Sequence, residues 1–109
     1  MEIYDDLKNR NERKFVLEAN QEFKAEARRN KFLGIWAAAL FDYDPARTEK
    51  YILEVIASDM EEAGDNDVFS KLRKDFDSEG VEMSDQALRA KMAAYLAQAR
   101  EEIYVEDKA

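Results

Sequence analysis

Apolar positions recur at three- and four-residue spacings along most of the chain, and the polar–apolar alternation of a half-buried strand appears nowhere. Phe23, Ala27, Leu33, Ala37 and Leu40 form one stripe with Trp36 beside it, in a segment that starts between Asp5 and Phe15 and ends near Leu40. Asp42, Tyr43 and Asp44 interrupt it. A second set, Tyr51, Ile52, Val55, Ile56 and Met60, follows Asp44 and Pro45, a capping residue and a proline at the first helical position, where its missing N–H costs nothing. Gly64 can end that helix in the left-handed conformation. Asp65 or Asn66 can cap a third helix bearing Val68, Phe69, Leu72 and Phe76, which Gly80 stops. Ser84 caps a fourth, with Met83 placed to staple against Leu88, and its stripe runs through Leu88, Met92, Tyr95, Leu96, Ala99 and Ile103. The pattern predicts an all-α fold, a four-helix bundle.

The run from Phe32 to Phe41 is apolar almost all round, which predicts a helix buried against several neighbours. On this reading Ala37 to Ala39 allow close approach, and Arg28, Arg29 and Lys31 mark where the helix leaves the core. Ahead of Phe23 the apolar pattern weakens, so residues 1–18 are expected to form a weakly ordered N-terminal arm before a bundle over 19–109. Tyr4, Leu7, Phe15 and Leu17 could anchor that arm on a partner, with Lys8, Arg10, Arg13 and Lys14 adding charge; a frayed tail fits the composition equally well.

Composition narrows the chemistry. The chain has 109 residues, enough for one domain with its own core, and it contains neither cysteine nor histidine. Thiolate catalysis, zinc sites built on sulfur or imidazole and Ser-His or Cys-His nucleophiles are therefore excluded. Acid pairs such as Asp5-Asp6, Glu61-Glu62 and Glu101-Glu102 read as solvated faces and caps, and Gly64-Asp65-Asn66-Asp67 as a helix stop followed by a cap. No enzyme, metal site or cofactor is expected. The net charge of -8 disfavours nucleic acid. The first 31 residues are nevertheless close to neutral, so the acidity lies in the remainder. Lys24, Arg28 and Arg29 could contact a phosphate from a helix surface, a weak nucleotide signal without a glycine-rich loop behind it. The apolar run is about half of the roughly 20 residues needed to cross a bilayer, and no signal-peptide pattern precedes it. The expectation is a cytoplasmic protein without membrane insertion.

The stretch FKAEARRNKFLGIWAAAL, together with EEAGDNDVFSK, LRAKM and AREEI further on, resembles the zeta subunit family, the small α-helical ATPase inhibitors of alphaproteobacterial F-type ATP synthases. The resemblance implies a four-helix bundle whose arm enters the interface between catalytic and non-catalytic subunits of the synthase head. Wedged there, the arm blocks rotation in the hydrolytic direction. It implies Tyr4, Asp5, Asp6, Lys14 and Phe15, with Arg10 beside them, as partner-binding residues, and a location peripheral to the inner membrane when bound. Leu7-Lys8-Asn9 departs from the family's usual Arg-Glu-Lys or Arg-Glu-Arg, turning an acid into a base at Lys8. The alternative is a small helical module that keeps this fold while responding to adenine nucleotide or forming oligomers.

Overall fold

The computed structural model describes residues 17–59 and 65–108. Their regular structure consists of four α-helices: α1 (Ala19–Leu40), α2 (Pro45–Ser58), α3 (Asn66–Glu79) and α4 (Asp85–Lys108). The predicted all-α bundle is thus the observed fold. The expected weakly ordered arm, Gly64 as a helix stop and Met60 as a core position lie outside the described residues.

Helix ends follow local chemistry. The Arg47 amide donates to the Asp44 carboxylate at 2.7 Å with Pro45 at the first helical position, and the Ala87 amide donates to the Ser84 hydroxyl at 3.0 Å. Gly80 closes α3 at φ 72°, a conformation that costs glycine nothing. Asp42 takes φ 62° in the turn between α1 and α2; aspartate tolerates this region better than most residues.

Helices α1 and α4 are the long ones, 22 and 24 residues against 14 each for α2 and α3. At about 1.5 Å per residue they outreach the short pair by roughly 12 Å or more. The main core sits where all four meet and contains Leu33, Ala37, Ala38, Phe41, Tyr51, Val55, Val68, Leu72, Phe76, Leu88 and Met92. Phe41 is its aromatic hub, with ring centroids 4.8 Å from Phe76, 5.4 Å from Tyr43 and 5.7 Å from Tyr51. A smaller cluster of Ala25, Ala99 and Ile103 joins α1 to α4 alone, with Leu17, Phe32 and Leu96 packed around it.

Three expectations about α1 need correction. The helix starts at Ala19, with Glu18 extended at ψ 165°, and does not run back unbroken toward Asp5. Its buried face is Ala25, Arg29, Asn30, Leu33, Gly34, Ala37 and Ala38, while Phe23 and Leu40 are exposed. Nor is the run from Phe32 to Phe41 buried all round: Ile35 and Leu40 are each 44% exposed. Neighbouring helices cover only part of α1's circumference, and α3 contributes little of that cover.

Candidate functional site

The partner-binding residues expected from the sequence, Tyr4, Asp5, Asp6, Arg10, Lys14 and Phe15, lie outside the described residues. What the structure defines is the joint from which that segment departs and the support beneath it.

Gln21 makes the joint. Its side-chain oxygen accepts the Glu18 amide at 2.9 Å, satisfying one of the donors a helix start leaves open, and its amide nitrogen donates to Asp107 of α4 at 2.7 Å. One side chain thus ends the helix and ties that end to α4. Glu18 itself is extended, so the helix begins only after it, at Ala19.

Below the joint, ion pairs link α1 to α4 on either side of the small apolar cluster. Arg100 Nε donates to both carboxylate oxygens of Glu22, at 3.0 and 3.1 Å. Arg28 reaches Glu106 through both terminal nitrogens, at 2.6 and 3.0 Å, and Glu102 at 3.0 Å. This forked geometry holds the Glu106 carboxyl below the usual carboxylate range. The pairs are partly or largely exposed, so each contributes little on its own and orients the two helices more than it stabilises them.

One turn deeper the polar contacts become buried. Arg29 and Asn30 are only 2% and 1% exposed. Arg29 Nε donates to the Asn30 side-chain oxygen at 2.9 Å, Arg29 Nη2 to Asp59 at 3.2 Å, and the Asn30 amide to the same Asp59 oxygen at 3.0 Å. Asp59 is the C-cap residue of α2, so Arg29 neutralises a carboxylate at the negative end of that helix's dipole. The basic doublet therefore divides its work. Arg28 clamps α4 from the surface, and Arg29 belongs to the core that the sequence reading placed behind it.

Of the three cations considered for a phosphate, Lys24 is exposed, Arg28 is engaged by Glu102 and Glu106, and Arg29 is buried on Asp59. They do not share an open surface. Among the described residues no group of three or more acidic side chains is placed to hold a metal ion.

Glu26, half-buried beside this network, has its pKa raised, first by burial and then by Asp59 and Glu22, against the opposing pull of Arg29 and Arg100. The folded state therefore holds this proton more tightly than the unfolded chain does. Its ionised form costs stability above the folded pKa, and that cost is relieved as pH falls toward the unfolded value near 4.5. Glu26→Gln is expected to raise the melting temperature at pH 7, with the gain shrinking as pH drops through the carboxylate range. Thermal melts of both proteins across pH check this; a variant that melts lower at pH 7 would contradict it.

Gln21, Arg100 and Asp59 carry much of this architecture without any signal in the sequence, and Glu102, expected on a solvated face, instead accepts from Arg28 across the helices. Nothing in a one-dimensional pattern pairs residues some 30 to 80 positions apart.

Comparison with known proteins adds an independent finding. A family model described as ATPase inhibitor subunit zeta matches residues 1–102. Among curated proteins, none matches.

Proposed function

The chain belongs to the ATPase inhibitor subunit zeta family, and we propose that its N-terminal arm is the inhibitory element, entering the interface between catalytic and non-catalytic subunits of the synthase head. Membership makes the chain a regulatory subunit rather than an enzyme, with the ATP synthase as its partner. No helix among the described residues is long and apolar enough to cross a membrane.

The observation that carries the reading is the extent of the family likeness, which takes in the arm as well as the bundle. The joint at Glu18 and Gln21 supports it. An inhibitor that wedges into a rotating assembly needs an insertable segment held by a body that stays outside, and α1 begins with a fixed cap braced against α4 at the point where such a segment would leave. The four-helix body is too thick to follow one helix into a subunit interface.

Tyr4 and Phe15 are the aromatic anchors at either end of the arm, with Asp5, Asp6, Arg10 and Lys14 between them. Ordering such a segment on binding costs several kcal/mol, so no single contact suffices. Truncating a central aromatic anchor typically costs more than about 1 kcal/mol, and 1.4 kcal/mol is about tenfold in affinity. Tyr4→Ala and Phe15→Ala are each expected to raise the half-inhibiting concentration about tenfold in ATP-hydrolysis assays on the synthase head. Inhibition equal to that of the unsubstituted protein in both variants would contradict the arm reading.

A further inference from the structure

The two long helices run past the short pair, and what holds their excess length differs from what holds the rest. From Arg29 onward α1 has α2 beside it: Arg29 and Asn30 donate to Asp59 at the end of α2, and Gly34 packs on Ile52. Before Arg29, among the described residues, the side-chain hydrogen bonds from α1 to another helix all go to α4. The resulting extension, 19–28 of α1 with 99–108 of α4, buries little. Ala25, Ala99 and Ile103 are its buried apolar residues, while Phe23 and Val105 stand 68% and 58% exposed. The main core encloses eleven buried side chains, among them Phe76, Leu33, Leu72, Leu88 and Met92. Apolar burial is the dominant favourable term in folding, so an extension with two alanines and one isoleucine inside is held far less firmly than that core.

We propose that this two-helix extension is a latch: it opens as one unit while the main core stays folded, and its interhelical ion pairs set how often it opens. Two observations carry the proposal. The first is that the buried residues fall into two separate clusters, bridged where Phe32, packed on the small one, meets Tyr95, packed on the large one, at 5.4 Å. The second is where the charges pair. Among the described residues every ion pair between α1 and α4 lies within the extension, Arg28 with Glu102 and Glu106, and Arg100 with Glu22. Each of these pairs joins the two helices instead of neighbouring turns of one helix, so breaking it loosens both sides together. Contiguous units that open below the global unfolding free energy behave in this way. Ordinary fraying differs, because each helix then loosens from its own end.

The joint at Glu18 and Gln21 sits on the latch, with Gln21 tied to Asp107. The root of the arm therefore belongs to the part of the bundle that opens first, and binding at the synthase head can reorient that root without unfolding the main core. This consequence rests on the inhibitory reading; the opening itself does not.

Residue-resolved amide hydrogen exchange of the full-length protein under native conditions tests the latch. The amides of Phe23 to Arg28 and of Arg100 to Glu106 are expected to exchange faster than those of Leu33 to Ala38 and Leu88 to Met92. Sub-denaturing urea is expected to accelerate the main-core amides steeply and those of the extension only slightly, because opening the latch exposes little surface. Leu72→Val, a substitution in the main core, is expected to speed main-core exchange and leave the extension unchanged, since the core stays folded when the latch opens. Arg28→Gln removes that side chain's ion pairs to α4 and is expected to speed exchange about fivefold on both helices of the extension, the equivalent of roughly 1 kcal/mol. Urea and Leu72→Val moving all of these amides equally would overturn the proposal, because the bundle would then be one cooperative unit. An Arg28→Gln response confined to α1 would overturn it as well, leaving only frayed ends. No readout involves the synthase head, so a failure here is distinct from a failure of inhibition.

Discussion

Alanine at Arg29 is expected to lower the unfolding free energy by about 3–5 kcal/mol, a large share of the roughly 5–15 kcal/mol that a domain has in total. The magnitude comes less from the guanidinium than from what its removal strands. The Asp59 side chain is only 11% exposed and would be left charged at the C-terminal end of α2 with Asn30 as its remaining hydrogen-bond partner among the described residues, while Asn30 would lose the donor to its own side-chain oxygen. Arg29→Lys keeps the charge but not the planar fork that serves Asn30 and Asp59 together, and an intermediate loss is expected. Urea unfolding with unchanged m-values checks both. A loss below about 1 kcal/mol for alanine, the range of an exposed pair, would show that the network carries no such load.

The second large effect is expected at Gly34, where α1 and α2 come closest. A Cβ there would stand 2.9 Å from the Ile52 Cα and 3.0 Å from its Cγ1. Because the nearer atom is backbone, no side-chain rotation relieves the contact, and the helices must separate. On an open helix face, glycine to alanine gains up to about 1 kcal/mol from helix propensity. At Gly34 that gain is outweighed: Gly34→Ala is expected to lose about 1–2 kcal/mol and Gly34→Val about 3 kcal/mol, the range of overpacked cores. Alanine that stabilises the protein would contradict the close approach.

The roles of Arg29 and Gly34 depend on contacts with α2 that no local sequence pattern encodes. Helix ends were legible because their signals are local: Asp44 with Pro45, Gly80 and Ser84 each act within one turn. The stripes of α2, α3 and α4 were legible because each helix has one apolar face, and Val55, Leu72, Phe76, Leu88 and Met92 are buried as their spacing predicts. Helix α1 was not, because apolar residues surround its second half and spacing alone cannot choose among faces. The choice is made by α2, whose Asp59 draws Arg29 and Asn30 inward and whose Ile52 needs the bare backbone of Gly34; Phe23, one turn or more beyond that cover, stays outside. A lone glycine within an Ala- and Leu-rich helix was the available hint of close approach. The exposed flank of Ile35 and Leu40 was hidden for the same reason, since a run that looks fully buried gives no sign of its uncovered side.

The most direct measurement of the central claim is ATP hydrolysis by the synthase head, titrated with the full-length protein and, in parallel, with a chain lacking Met1 to Lys14. Both cores are built from residues beyond that deletion, so the shortened protein is expected to keep its helical content and its melting transition. The account predicts saturable inhibition by the full chain and none by the truncated one at any concentration tested. Equal inhibition by the two proteins would contradict it, placing the inhibitory surface on the bundle instead of the arm.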